Sequence, residues 1–232
     1  MISFIVPSYN CAAFLAQAVK SILDQTHKDC EIIIVNDAST DSTDQYLEWL
    51  QGGKRRFPIR VINNVTNLGR SASRNLGNMA AQGDICVLDA DDLATPKRAD
   101  LTADAIRDGA QFVYGSAVMI DAVGRKVGEL PADVFNRDRA FKEGVNRIVH
   151  STIGYTKEFA SKYPYRMAEI SDLGIDDWEQ QTRAVLDGVK FDMIPATLAA
   201  YRQLDTGISK TRDESKVTEF KKAYLEKALA VA

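Results

Sequence analysis

The feature that most limits the possible folds is an uninterrupted β-branched run, Ile-Ile-Ile-Val, at positions 32–35. Strands of this composition are buried on both faces, as they are in parallel sheets that helices cover. Other short apolar segments share this character: 3–6, 60–62 and 85–88. Helical periodicity fills the intervals: 12–24, 42–50 and 71–81. Strands and helices alternate with the spacing of right-handed βαβ units, which predicts an α/β chain with a doubly wound parallel sheet.

The second half departs from this alternation. Thr95 and Pro96 are expected to open a helix as N-cap and first helical residue. A strand at 112–120 followed by a turn at 121–124 indicates a hairpin. Three further elements are expected: one at 148–155, a helix at 176–186 and a strand at 191–201. No linker divides the 232 residues, so we expect one domain with a mixed second half.

The last segment, 213–232, has helical periodicity. Its apolar residues fall on one face: Val217, Phe220, Tyr224, Leu225 and Leu229. Lysine and acidic residues balance on the remaining surface, unlike the basic polar face of a helix that lies on a membrane. We expect the apolar face to pack either on its own domain or on a second subunit, and the second arrangement would make the chain a homo-oligomer.

Charge and composition exclude several classes of protein. With 29 Lys and Arg against 32 Asp and Glu, the net charge of −3 provides no field that would attract nucleic acid. No apolar run approaches the roughly 20 residues that span a bilayer, and the start lacks a basic targeting region. Three scattered cysteines predict reduced thiols: Cys11, Cys30 and Cys86. We expect a cytoplasmic protein without a membrane span.

Ligands of open α/β sheets bind beyond the carboxyl ends of the strands. The loops after the four predicted strands all carry aspartate or asparagine: 7–10, 36–41, 67–69 and 89–92. Asp89 and Asp91 would point to the same side of an extended chain, where two carboxylates suit Mg²⁺ or Mn²⁺ together with phosphate oxygens. The alternative is that Asp91 or Asp92 only caps a turn. Glycine-rich phosphate loops are missing, so a diphosphate here would need a cation.

Several motifs occur together in the order of one family. They are Val-Pro-Ser-Tyr-Asn at 6–10, Ser21, Gln25, the segment 31–41, Asn67-Leu68-Gly69, Arg74-Asn75, Asp89-Ala90-Asp91-Asp92, Asp176-Asp177-Trp178, and Tyr201-Arg202 with Ile208-Ser209. This set resembles the family-2 inverting glycosyltransferases of the GT-A fold. The fold implied is a mostly parallel Rossmann-type sheet flanked by helices. The resemblance implies a nucleotide-sugar half at 1–120, an acceptor and catalytic-base half at 121–212, and the helix at 213–232.

The resemblance also implies roles for single residues. Those placed at the nucleotide sugar are Pro7, Tyr9, Asn10, Asp37, Asn67, Gly69, Arg74, Asp89, Ala90, Asp91 and Arg202. Tyr9 would lie near the face of the base, and Asp37 would accept a hydrogen bond from it, unless Asp37 caps the next helix. Asp89 and Asp91 would hold the ribose and a divalent cation, Mn²⁺ or Mg²⁺, with Asp91 as the better metal ligand.

The catalytic base is expected in the second half. The resemblance gives this role to Asp177, with Asp176 in place of the usual glutamate, and adjacent carboxylates could raise each other's pKa. The alternative is that both are simply acidic residues in the first turn of a helix, where the helix dipole favours negative charge. Leu204 stands where the family often has a histidine, for which the charge of Arg202 could partly compensate. His150 falls in a stretch near the expected acceptor side, although a lone histidine is more often packed.

The function implied is transfer of a sugar from a nucleotide donor, with UDP as the expected nucleotide, to an acceptor hydroxyl. The acceptor would be a glycan, a lipid-linked molecule or a protein in polysaccharide or glycoconjugate synthesis. One alternative is a catalytically silent module that binds a nucleotide or sugar. A sugar nucleotidyltransferase is disfavoured because a glycine-rich loop after the first strand is missing.

Overall fold

A computed structural model describes residues 1–136, 148–166, 170, 173–205 and 212–229 of the chain. Its strands are β1 Ile2–Ser8, β2 Cys30–Asn36, β3 Ile59–Asn63, β4 Asp84–Val87, β5 Leu93–Ala94, β6 Phe112–Ile120, β7 Lys126–Leu130, β8 Gly154–Tyr155 and β9 Phe191–Arg202. Its helices are α1 Ala12–Leu23, α2 Thr43–Gln51, α3 Arg70–Ala80, α4 Arg98–Arg107, α5 Lys157–Lys162, α6 Asp176–Leu186 and α7 Glu214–Leu229. A short 3₁₀ helix covers His150–Thr152.

The first four strands form the parallel half of the sheet that the sequence predicts. They lie in the order β3-β2-β1-β4, and β1 pairs in parallel with both β2 and β4. Phe4 and Ile32 face a core that α1 and α2 cover, whereas Ile5 and Ile33 face the opposite core, where α3 packs. Because successive side chains of a strand alternate between faces, the β-branched run is buried on both sides, as expected.

The second half of the sheet is mixed, which confirms the expected α/β class. Strand β8 is antiparallel to both β4 and β6, and β9 runs parallel to β6 but antiparallel to β5. The expected hairpin joins β6 to β7 through a turn that contains Gly124 at a φ of 89°. Strand β5 and helix α5 were not predicted from the sequence. They contain only two and six residues, too few for a periodicity to appear.

The helix expected to open at Thr95 begins three residues later. Arg98 is the first residue of α4, and Pro96 lies in the preceding turn. The Thr95 hydroxyl donates to the carbonyl oxygen of Thr197 at 2.9 Å, so it links this turn to β9 and does not cap the helix.

Helix α7 packs on its own domain, the first of the two arrangements expected. Val217 and Leu225 are buried against Ile175 and Trp178, with Phe220 and Tyr224 packed at the edge. The side chain of Leu229 and residues 230–232, which belong to the expected helix, lie outside the described residues, as does the motif Ile208-Ser209.

Two further expectations concern the whole chain. The three cysteines are free thiols, two of them buried. None of the helices in the described ranges combines the length and the apolar content that a membrane crossing requires.

Gly77 allows α3 to approach β1 closely. A β-carbon at position 77 would lie 2.3 Å from Cγ2 of Ile5, which is fully buried. Although alanine favours a helix interior by about 1 kcal/mol over glycine, we expect Gly77→Ala to lower the free energy of unfolding by roughly 1–3 kcal/mol through overpacking. Thermal unfolding measures this. Gly52→Ala, whose β-carbon would meet only atoms at 3.7 Å, is the control. A Gly77→Ala protein as stable as the wild type would contradict this packing.

Candidate active site

The loops after β1 and β2 are tied to each other by side chains. The backbone N–H of Thr40 donates to Asn10 Oδ1 at 2.7 Å, and the backbone N–H of Asn10 donates to Ser39 Oγ at 3.0 Å. Asn10 has a φ of 52°, in the left-handed region that asparagine tolerates better than most residues. Asn10 therefore shapes the rim where the sequence places the nucleotide.

Asp37 fixes the loop between β3 and α3. It is buried at the end of β2, and its Oδ1 accepts from Asn64 Nδ2 at 2.7 Å and from the backbone N–H of Leu68 at 2.9 Å. Its Oδ2 accepts from the backbone N–H of Gly69 at 2.8 Å. Asp37 does not cap α2, because the first N–H of that helix donates to Asp41.

Three further predicted nucleotide residues lie at these loops. Pro7 is paired with Val35 across β1 and β2, and the next loop leaves Tyr9 48% exposed. Asn67 Oδ1 accepts from the backbone N–H of Gly69 at 3.1 Å. An exposed aromatic ring therefore lies in the loop directly after β1, at the carboxyl end of the parallel strands.

The aspartates after β4 have very different electrostatic surroundings. Burial alone would raise the pKa of Asp89, but the guanidinium of Arg74 reverses this and holds the pKa well below its usual range. Burial, and then the neighbouring carboxylate of Asp89, raise the pKa of Asp91 to about 6. Burial and the charge of Asp91 raise the pKa of Asp92 well above its usual value. Ala90 is buried between the first two.

Arg202 holds the aspartate loop in place. Its Nε donates to the carbonyl oxygen of Asp91 at 2.7 Å, and its Nη1 donates to the carbonyl oxygens of Asp121 and Ala122 at 3.0 Å. Its backbone N–H donates to Asp92 Oδ1 at 2.7 Å. The Arg202 side chain is buried and these donors are used by backbone carbonyls, and the expected role of its charge near a diphosphate stays a prediction.

Arg74 links the aspartate loop to α6. Its Nη2 donates to Asp89 Oδ1 at 2.8 Å, and its Nη1 donates to Asp176 Oδ2 at 2.6 Å. The side chain is 6% exposed, so Arg74 is buried and does not lie on a solvated face of α3. One buried guanidinium therefore spans two carboxylates that are 87 positions apart in the sequence, which brings the two halves of the predicted site together.

Asp176 is a buried ion-pair partner and not a second base. Besides Arg74, its carboxylate accepts from Arg70 Nε at 2.9 Å and from Ser71 Oγ at 3.1 Å, and the residue is 1% exposed. Burial favours the neutral acid, but the two guanidinium groups prevail and lower the pKa of Asp176. The expected raising of its pKa by an adjacent carboxylate does not occur here.

Asp177 is the next residue and is partly exposed. It lies in the first turn of α6, where its Oδ1 accepts its neighbour's backbone N–H, that of Trp178, at 2.7 Å. Its negative charge contributes to the electrostatic environment of His150, which is itself 3.8 Å from Asp89. The predicted base and the aspartate pair therefore lie around one buried cluster.

His150 belongs to that cluster as a packed residue. Its Nε2 lies 3.0 Å from the hydroxyl of Tyr165. Burial, and then the charge of Arg74, lower the pKa of His150 to about 4. The imidazole is therefore neutral near pH 7, and its contact with Asp89 is not an ion pair under those conditions.

Comparison with known proteins decides the family. The family model described as "Glycosyl transferase family 2" matches residues 3–163, which is more than half of the chain. This chain belongs to glycosyl transferase family 2. A glycosyltransferase of Methanocaldococcus jannaschii is 30% identical over 212 residues, which cover 87% of this chain and 70% of the relative. Glycosyltransferase YwdF of Bacillus subtilis is 29% identical over 91% of this chain and 78% of its own.

Solved structures show the GT-A fold for this family-2 glycosyltransferase. TarS of S. aureus superposes with a TM-score of 0.70 at 19% identity, over 99% of this chain and 42% of TarS. Mannosyltransferase PcManGT of Pyrobaculum calidifontis, solved with GDP-Man and Mn²⁺, gives a TM-score of 0.65 at 18% identity, over 89% of this chain and 58% of its own. The chain thus spans about half the length of these solved relatives.

The carboxylates of this glycosyltransferase fit a divalent cation that a substrate helps to hold. No group of three histidine, cysteine or acidic side chains with metal-site geometry occurs within the described residues. Asp91 is nevertheless a half-buried carboxylate whose charged form is disfavoured by the neighbouring carboxylate of Asp89. Mg²⁺ and Mn²⁺ sites of one or two carboxylates completed by phosphate oxygens and water have this composition.

Several residues of the cluster were not predicted. Arg70 and Ser71 bind Asp176 from the start of α3, and Tyr165 contacts His150. The spacing of Arg70 and Arg74 by four residues places both cations on one helix face, a signal that the sequence does contain. Tyr165 carries no such signal.

The raised pKa of Asp91 predicts a pH-dependent stability. Because this pKa is about 6 in the folded protein and ordinarily 3.8, the charged side chain destabilises the fold above about pH 6, and the penalty fades as the pH falls through 6. We expect Asp91→Asn to raise the free energy of unfolding by roughly 1–2 kcal/mol at about pH 8, and by less at about pH 5. Thermal unfolding without added metal measures both, and an unstabilised variant at the higher pH would contradict the assignment.

Proposed function

We propose that this glycosyltransferase transfers a sugar with inversion from a UDP-sugar to an acceptor hydroxyl, with a divalent cation bound at Asp89 and Asp91. The observation that carries the proposal is the ion-paired chain from Asp89 through Arg74 to Asp176. It brings the aspartate loop against the start of α6 and leaves Asp177, the next residue, partly exposed. A donor and an acceptor could therefore meet between these two segments.

The donor would lie across the carboxyl ends of the parallel strands. Tyr9 offers an exposed ring for the base, and Asp37 keeps acceptor capacity on Oδ2, which receives one backbone N–H. UDP is the proposed nucleotide because TarS structures of the same fold contain UDP and UDP-GlcNAc. The alternative nucleotide is GDP, because PcManGT was solved with GDP-Man.

The reaction is a single displacement. The acceptor oxygen attacks the anomeric carbon from the face opposite the diphosphate, and a new C–O bond forms as the bond to the diphosphate breaks. The bonding electron pair leaves with the diphosphate oxygen, and the acceptor proton passes to the Asp177 carboxylate. The cation, when bound, would offset negative charge that develops on the leaving diphosphate.

Asp176 and Arg74 support this reaction through the charges that they hold on neighbouring groups. With both oxygens of Asp176 occupied, the carboxylate cannot take up a proton readily, so the proton must go to Asp177. Arg74 keeps Asp89 charged by lowering its pKa, and a charged carboxylate is what a divalent cation needs.

A donor screen tests the proposed function. The protein is incubated with UDP-GlcNAc, UDP-glucose and GDP-mannose in Mn²⁺ or in EDTA, with mixed oligosaccharide acceptors, and release of the nucleoside diphosphate is measured. We expect release from a UDP-sugar in Mn²⁺ and its loss in EDTA. Release from GDP-mannose alone would reject UDP, and UDP binding without any release would favour the silent binding module.

A further inference from the structure

Helix α7 packs against the turn of α6 that contains Asp177. Val217 and Leu225 are buried in one apolar cluster with Ile175, the residue before α6, and with Trp178. Removal of these apolar side chains from water stabilises the contact between the two helices. The first turn of α6 is thus held between α7 on one side and the Arg74 cluster on the other.

A hydrogen bond and an aromatic contact fix the orientation of α7 relative to α6. The Tyr224 hydroxyl donates to Glu179 Oε1 at 2.7 Å, and its ring meets Trp178 edge to face at a centroid distance of 5.7 Å. Glu179 is fully buried one turn after Asp176 and is also paired with Arg183 at 2.8 Å. A hydroxyl bonded to a buried carboxylate fixes both the rotation and the height of one helix against the other.

Lys221 adds a positive charge at the same turn. Its ammonium lies 5.0 Å from the ring centroid of Trp178, the residue next to Asp177. Burial, and then the charge of Arg212, lower the pKa of Lys221, while the charge of Asp177 acts in the opposite direction. The lysine and the proposed base therefore interact, although they belong to different helices.

We propose that α7 is part of the catalytic apparatus, in which Tyr224 and Lys221 are positioning residues that orient the first turn of α6 and set the charge around Asp177. The proposal rests on the proposed function, in which Asp177 accepts the acceptor proton.

The charge of Lys221 should matter for the pH dependence of turnover. Other charged or titratable groups around this turn are Arg70, Arg74, His150, Arg166, Asp176, Glu179, Arg183, Arg212 and Glu214. Arg70 and Arg74 are paired with Asp176, and Arg212 is paired with Glu214 at 2.7 Å. Loss of Lys221 therefore removes a positive charge from the turn that carries Asp177 without breaking these ion pairs.

The test compares Lys221→Met and Tyr224→Phe with Lys222→Met, a control that removes the adjacent exposed lysine. Hydrolysis of the UDP-sugar that the wild type turns over fastest, in Mn²⁺, gives kcat, KM and the pH profile. We expect both variants to lose about 3–10-fold in kcat with KM changed by less than about twofold. The pH profile of Lys221→Met should also differ from that of the Lys222→Met control.

Two results would overturn the proposal. One is a kcat and pH profile of Lys221→Met equal to those of the control. The other is a fall in kcat that comes with equal losses of UDP affinity and of melting temperature, which would assign these residues to folding alone. Asp177→Asn is measured alongside, because an active Asp177→Asn protein would reject the proposed base itself, whatever α7 does.

Discussion

Asp177→Asn is expected to lower kcat for sugar transfer by roughly 10²–10⁴-fold, the usual contribution of a general base. The amide keeps the size of the side chain but cannot take up the acceptor proton. Asp177 is partly exposed, and its Oδ1 accepts the adjacent backbone N–H of Trp178, a local contact that an amide oxygen can keep, so the fold should be unaffected. Steady-state kinetics gives kcat, and calorimetric titration gives the affinity for UDP with Mn²⁺, which should change by less than about twofold.

Asp192→Asn is the matched control, since it makes the same substitution on an exposed residue of β9. It should leave kcat and UDP affinity at the wild-type values. If Asp177→Asn turns over at the rate of this control, another group must accept the proton and Asp177 is not the base. If it loses UDP affinity together with kcat, Asp177 contributes to donor binding.

Arg74→Met is expected to cause the largest loss of stability, roughly 3–5 kcal/mol. Methionine fills much of the same volume but leaves the buried carboxylate of Asp176 and the half-buried carboxylate of Asp89 without the guanidinium that compensates them. For a chain of this length such a loss lowers the melting temperature by about 10 °C. Thermal unfolding in the absence of nucleotide measures it directly.

Two variants show whether the bridge itself is responsible. Arg70 is the more exposed partner of Asp176, and its side chain is 23% exposed. Arg70→Met should therefore lower the free energy of unfolding by only roughly 1–2 kcal/mol. Arg74→Lys keeps a charge but cannot donate to both carboxylates in the same fork, so its stability should fall between those of Arg74→Met and the wild type. A melting temperature of Arg74→Met equal to that of Arg70→Met would contradict a central role for Arg74.

The parallel half of the fold was predictable because each of its elements has its own signal. The run at 32–35 is buried on both faces, and the apolar stripe of α1, which includes Leu15, Val19 and Ile22, packs on it. Elements of two to six residues, such as β5 and α5, are formed by tertiary pairing and carry no period. Helix α4 begins later than predicted for a similar reason, because the Thr95 hydroxyl bonds to a strand that is about a hundred positions away.

The sequence indicated which residues belong to the candidate site better than it indicated their roles. Asp37, Asp89 and Asp176 were all selected, and all three accept hydrogen bonds or ion pairs from distant parts of the chain. Whether a carboxylate is occupied by protein donors or remains available to a substrate depends on those long-range contacts. Residue spacing cannot reveal them, which is why the lowered pKa of Asp176 and the backbone contacts of Arg202 were not predicted.

The central claim is that the carboxyl-end loops and the start of α6 form one site for a nucleoside diphosphate and a cation. Calorimetric titration of UDP in Mn²⁺ and in EDTA, with the wild type and with Asp91→Asn, tests it most directly. The account predicts binding at least about tenfold tighter in Mn²⁺ for the wild type and no effect of Mn²⁺ for the variant. Equal affinity of the wild type in Mn²⁺ and EDTA, or an unchanged Mn²⁺ effect in Asp91→Asn, would contradict it.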